Sequence, residues 1–220
     1  MSQIFEVTLD SSPDLLDEVA EAAVKAVANG ELVVIPSDSG YALICDAFSN
    51  EAVAKLRSLK QLPEGAPISV AAGNLATIDG IATFSQLARD LIGAFWPGPL
   101  TVLTSSQPSV NLAVKAEDVA LAVQLPSNKI AQTVLNAIGP CAITGAQISG
   151  SEPVTTIAQV RANLGDSVTV YIDSGEVGDA ASSVVSAVGD QLRLVRAGAV
   201  SLSELRQVIP MVVDATNSAS

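Results

Sequence analysis

Apolar residues fall into two interleaved rhythms along this chain, one near 3.6 residues and one of short unbroken runs. The first opens at Leu15, Leu16, Val19, Ala23, Val24 and Val27, which trace one helical stripe. Ser12 can cap that helix, Pro13 suits its first turn, and Asp14, Asp17 and Glu18 complement the positive end of its dipole. Asn29-Gly30 ends it. The same rhythm over 51–60 turns Ala52, Val53, Leu56 and Leu59 inward, with Ser49 or Asn50 as cap. Further helices are predicted over 86–95, 129–137, 157–164 and 202–208.

The second rhythm predicts buried strands. One covers 32–35, is ended by Pro36 and feeds a polar turn, Ser37-Asp38-Ser39-Gly40. Others fall at 68–72, 100–104, 119–126, 141–144 and 168–173, with a pair at 182–187 and 192–198. Strands and helices interleave without strict alternation, which reads as one open mixed α/β sheet flanked by helices. No internal repeat and no Gly-, Ser- or Pro-rich linker divides the chain. The expected organisation is one domain over 1–209 and a frayed tail over 210–220.

Composition sharpens this picture at a few points. Of 220 residues 49% are hydrophobic but only 3% aromatic, so Ala, Val, Leu and Ile must build the core. No apolar stretch approaches the roughly 20 residues of a membrane span. The start lacks a basic segment followed by an apolar run, so the cytoplasm is the expected location. The net charge of −12 opposes a broad nucleic-acid surface, because phosphate contacts need Lys and Arg. The chain has no histidine, which removes Ser-His and Cys-His catalysis. Cys45 and Cys141 each lie in an apolar run and in no metal-ligand spacing; they read as inert core thiols against a redox or nucleophilic role.

Three turns carry candidate chemistry. Pro36-Ser37-Asp38-Ser39-Gly40-Tyr41 puts hydroxyls and a carboxylate at the end of a buried strand, where open α/β sheets bind ligands. It reads equally as a turn closed by its own side chains. Trp96-Pro97-Gly98-Pro99-Leu100-Thr101 is a rigid corner whose Trp either walls a pocket or packs in the core. Thr144-Gly145-Ala146-Gln147-Ile148-Ser149-Gly150 could bring backbone N–H groups to a phosphate, or simply link a strand to a helix.

These turns, in order with Leu59-Lys60-Gln61, Ala122-Val123, Ser182-Ser183-Val184-Val185 and Arg196-Ala197-Gly198-Ala199-Val200, resemble the YrdC-like family, the threonylcarbamoyl-AMP synthases of tRNA modification. The resemblance runs from about Ser12 to Val200. It implies a twisted mixed sheet with a large concave cavity that binds ATP, with Mg²⁺, and L-threonine. In the family, threonine's amine captures bicarbonate and the carbamate attacks the α-phosphate of ATP, releasing pyrophosphate. A partner machinery then passes the threonylcarbamoyl group to tRNA. Carried over residue by residue, Lys60 and Arg196 would hold phosphates, Ser37 and Ser39 would orient threonine or nucleotide, and Ser149, Ser182 and Ser183 would line the phosphate region. Asp38, Tyr41, Thr144 and Gln147 complete the implied binding set, and no protein side chain is implied as a metal ligand. Lys60 and Arg196 also read as ordinary charged residues.

Several positions depart from the family's pattern. Leu62 stands where an arginine belongs, Ala66 where a lysine does, and Gln124 where a second arginine does. Gly145 and Gln147 replace a serine and an asparagine, and Ala42 a glycine. Three missing cations in one cavity would weaken ATP binding sharply, since each hydrogen bond to a charged group contributes on the order of 1.5–3 kcal/mol. The expected function is therefore a synthase relative with catalysis weakened or lost; a non-catalytic metabolite-binding or protein-interaction relative is the alternative.

Overall fold

A computed structural model describes residues 2–114 and 120–216. In chain order it begins with β1 (Gln3–Glu6), α1 (Pro13–Ala28), β2 (Val33–Ser37), β3 (Gly40–Asp46), α2 (Asn50–Leu59) and β4 (Ser69–Ala71). There follow α3 (Leu75–Asp79), β5 (Ala82–Thr83), α4 (Gln86–Phe95), β6 (Leu100–Ser106), β7 (Leu121–Gln124) and α5 (Lys129–Ile138). The last third holds β8 (Cys141–Gly145), α6 (Ile157–Leu164), β9 (Val170–Asp173), β10 (Ser183–Ser186), β11 (Arg193–Arg196), α7 (Leu202–Val208) and β12 (Val213–Asp214).

Local sequence sets the helix ends. Ser12, Ser49, Ser85 and Asn128 each accept a backbone N–H of the following first turn, and Thr156 and Ser201 form capping boxes with Gln159 and Glu204. On α1 the inward stripe is Val19, Ala20, Ala23, Ala26 and Val27; Val24, expected inside, is 36% exposed.

The strands join in one mixed sheet of order β1-β9-β2-β3-β8-β4-β7-β6-β10-β11-β12, with β5 on β6. The expected strand before Pro36 is half of a hairpin. β2 runs through Pro36 to Ser37, turns on Asp38-Ser39 and returns as β3, with Ser37 opposite Gly40. Proline is tolerated there because β9 pairs with β2 only at Val33 and Val34, so no neighbour needs the N–H that Pro36 lacks. β1, β3, α3, β5 and β12 have no counterpart among the predicted elements. Pairing also continues into the expected tail: Val213–Asp214 join β11, and Val212 is buried. Val119 and residues 217–220 lie outside the described residues.

Side-chain alternation along the strands divides the apolar residues between two faces. Val34, Leu43, Val70, Val102, Val123 and Val185 share one core with α2, α3, α4, α6 and α7, which cover that whole face. Val33, Ile35, Ala42, Ile44, Ala71 and Ile143 share the other with α1 and α5 only. Two helices cannot span the sheet, so among the described residues no helix covers the second face from the Ser69 end of β4 across β7, β6, β10 and β11. No helix among the described residues is long and apolar enough to cross a membrane.

Candidate functional site

The uncovered half of the second face forms a cavity of about 280 Å³. Alternation decides what it presents: residues on the parity of Ala71 and Ile143 point into it. Its floor is Ser69 of β4, Gln124 of β7, Thr101 of β6 and Ser182 just before β10. Arg196 of β11 stands at one end, and Ser37, Ser39 and Gln147 at the other. The polar part of the lining is thus made of hydroxyls, two amides and one guanidinium, set among apolar groups such as Leu103, Ala122, Ile143 and Val184, with no carboxylate among the described residues. No cluster of potential metal ligands occurs among them either.

The floor is cross-linked. Arg196 donates from Nε and Nη2 to the Ser182 carbonyl, at 3.2 and 2.8 Å, and from Nη2 to Ser182 Oγ at 3.2 Å. Ser182 Oγ lies 3.1 Å from Thr101 Oγ1, which donates to Gln124 Oε1 at 3.4 Å. At the other end, a Cβ on Gly145 would lie 2.3 Å from Gln147 Oε1. The Gln147 amide therefore occupies the space beside Gly145 that a side chain at 145 would enter.

The fold brings Ser37, Ser39, Gln147, Ser182 and Arg196 together around this space, with Tyr41 and Thr144 at its border, and leaves Asp38, Lys60, Ser149 and Ser183 outside it. The Asp38 carboxylate instead accepts Ser127 N (2.9 Å), Ser127 Oγ (2.7 Å) and Asn128 N (3.1 Å), tying the hairpin to the start of α5. Tyr41 and Thr144 border the cavity, but both carry the parity of the helix-covered face. The Tyr41 hydroxyl donates to Gly175 O at 2.6 Å and accepts from Ser174 N at 3.0 Å. Ser183 is buried with its hydroxyl on the Val200 backbone, and exposed Ser149 gives its N–H to Lys60 O. Of the departures Ala42, Gln124, Gly145 and Gln147 line the cavity, and Leu62 and Ala66 do not. Leu62 packs against the core of the covered face, and the Ala66 carbonyl is taken by Arg57.

Ser69 was missed by sequence reasoning and Thr101 was seen only as the end of the Trp96–Thr101 corner, although the inward parity of both was available once the strands were drawn. Trp96 took the core alternative: its Nε1 donates to Leu100 O, and its ring meets Phe84 edge-on at 6.1 Å. Both thiols are fully buried, and burial pushes Cys45 up to about 12 and Cys141 higher still, which makes them inert.

Lys60 is 2% exposed, no described residue hydrogen-bonds its Nζ, and burial lowers its pKa to about 8. Below about pH 8 both folded and unfolded chains carry that proton, and the burial penalty is fully present. As pH rises from about 8 towards 10.5 the folded chain releases it first, so this group's contribution to stability improves. Lys60→Met is expected to stabilise the fold at pH 7 by at most about 3 kcal/mol, with the gain fading towards pH 10. Urea melts of both proteins at the two pH values check this; an equal gain at both would refute it.

The protein-family model Sua5_yciO_yrdC, described as telomere recombination, matches residues 25–198. The chain belongs to this YrdC/Sua5 family. It is 34% identical to a Mycobacterium leprae (strain TN) protein provisionally named a threonylcarbamoyl-AMP synthase, over 96% of both chains. It is 27% identical to YciO of Escherichia coli (strain K12), over 90% of this chain and 96% of that one. Among solved structures, E. coli YciO aligns with TM-score 0.84 at 26% identity, over 93% of this chain and all of that one. The P. abyssi Sua5 complexed with L-threonine aligns with TM-score 0.90 at 24% identity; this chain spans 64% of it, and the likeness shows the fold alone. The YrdC/Sua5 fold thus agrees with the mixed sheet described above.

Proposed function

We propose that this YrdC/Sua5 protein binds a small amino acid of threonine's kind in the cavity, and that its synthase chemistry is weakened. In that chemistry L-threonine and bicarbonate condense to a carbamate with loss of water. The carbamate oxygen then displaces pyrophosphate from ATP to give threonylcarbamoyl-AMP. The observation that carries the reading is the single cation: among the described residues lining the cavity, only Arg196 is basic. A triphosphate needs several positive groups to hold it and to stabilise the charge of the transferring phosphoryl group. Gln124 occupies one position where the resemblance places an arginine, and it offers only neutral donors. Among the described residues the lining holds no carboxylate to ligate Mg²⁺, so magnesium would enter on the nucleotide, as part of the substrate.

The synthase name of the Mycobacterium leprae relative supports the ligand class. The net charge of −12 supports handing the product on over direct tRNA binding. The test is pyrophosphate release with ATP, Mg²⁺, L-threonine and bicarbonate, with each omitted in turn. The expected result is slow release that disappears without threonine. Fast threonine-dependent turnover would mean that the missing cations are compensated. No release from folded protein, with no calorimetric heat from ATP, would select the non-catalytic metabolite-binding alternative.

A further inference from the structure

We propose that Arg196, Ser182, Thr101 and Gln124 form a polarised hydrogen-bond relay that turns the Gln124 amide N–H groups into the cavity, making Gln124 a specificity-determining residue for N-acylated amino acids, such as ureido or carbamoyl acids. This rests on the reading of the cavity as an amino-acid site and names the class of ligand it prefers.

Counting hydrogens gives the relay its direction. Thr101 has one hydroxyl hydrogen and donates it to Gln124 Oε1 at 3.4 Å, so toward Ser182 it acts as acceptor. Ser182 Oγ accepts Arg196 Nη2 and spends its own hydrogen on Thr101. The opposite direction would leave the Ser182 hydrogen without an acceptor in a residue 8% exposed, which is unfavourable. All the bonds therefore run from the guanidinium toward Gln124. The amide oxygen is engaged, and the amide nitrogen, for which no described residue is an acceptor, remains to donate. The four groups come from β11, the residue before β10, β6 and β7, which are successive neighbours in the sheet, so backbone pairing holds them in line.

Electrostatics selects the ligand. Arg196 keeps its two Nη1 hydrogens for a carboxylate, since its three recorded bonds use Nε and Nη2. A free α-ammonium would enter a cavity with a guanidinium and no carboxylate among the described lining residues, leaving its charge uncompensated. Acylating the amine removes that charge and supplies a carbonyl oxygen for Gln124 Nε2. Gln147, the second amide of the cavity, presents a further neutral partner in the space Gly145 leaves open.

The experiment titrates L-threonine and N-carbamoyl-L-threonine by calorimetry into the wild-type protein, Gln124→Leu and Thr101→Val, each checked for folding by circular dichroism. The wild type is expected to bind the carbamoyl acid at least about tenfold more tightly. Gln124→Leu should bring that ratio down to about one, and Thr101→Val, which frees the amide to rotate, should lower it several-fold. A wild-type ratio near one, a ratio unchanged in Gln124→Leu, or binding of neither acid would overturn the inference. The ratio is independent of turnover. A silent pyrophosphate assay with the ratio intact counts against the synthase reading alone, and turnover without discrimination counts against this inference alone.

Discussion

Gly198→Ala is expected to lower the melting temperature by about 6–12 °C, from a destabilisation of about 3 kcal/mol in a chain of this length. A Cβ at this position would lie 2.3 Å from Ala181 O, 2.6 Å from the Ser182 carbonyl carbon and 2.6 Å from Ser183 N. All three are backbone atoms, so no side chain can swing aside to relieve the clash. The Arg196–Val200 segment lies directly on the start of β10, joined there by the bond from Ala199 N to Ala181 O at 2.8 Å. Relief would have to move either that segment or the strand, and with it Ser182 and Arg196 at the end of the cavity. Gly93→Ala in α4 is the control: nothing lies within 4 Å of its added Cβ, and alanine in a helix interior should gain about 0.5–1 kcal/mol. Thermal melts of the two variants separate the contributions. A Gly198→Ala melt matching wild type would mean that the two segments are not in contact in solution.

Arg196→Ala is expected to raise the dissociation constant of any carboxylate or phosphate ligand of the cavity about 100-fold or more. Two charge-assisted hydrogen bonds of about 1.5–3 kcal/mol each would be lost, and among the described residues no other basic side chain lines the space. Arg196→Lys should recover part of the affinity, because the charge returns without the guanidinium bonds to Ser182 that hold the remaining Nη1 donors in place. Calorimetry with L-threonine and with ATP measures both variants. If Arg196→Ala binds either ligand as tightly as wild type does, the anion is held elsewhere and the cavity is not the site. The guanidinium also supports the Ser182 carbonyl, so a small loss of stability is expected alongside.

Much of this was legible before any coordinates. The helix limits over 86–95, 157–164 and 202–208 agree with α4, α6 and α7, because each begins at a Ser or Thr cap that can be read from the sequence. The β10–β11 pair was also visible as two short apolar runs around a polar turn. β3 was harder to see because its residues face two cores, so its apolar run has no alternation to separate it from the preceding turn. β1, β5 and β12 escaped because strands of two to four residues at an edge carry no periodicity that can be measured.

The site divides along the same line. Residue types and their order pointed to the hairpin, the loop after β8 and the Arg196 segment, since hydroxyl, glycine and arginine chemistry can be read from a string. Which side chains share a space could not be read there. Asp38 and Ser149 lie within or beside the right turns, yet one carboxylate is spent on the start of α5 and the other residue's N–H on Lys60. Leu62 and Gln124 look like equivalent losses of charge in sequence, but only Gln124 has the parity and strand position to reach the cavity. The sequence by itself determined the family, the open mixed sheet and the shortage of cations, because these depend on composition, local capping and pattern. Only the tertiary structure decided that Thr101, Gln124, Ser182 and Arg196 form one connected floor. Those four residues are up to 95 positions apart, and only the order and parity of neighbouring strands bring them within hydrogen-bonding reach.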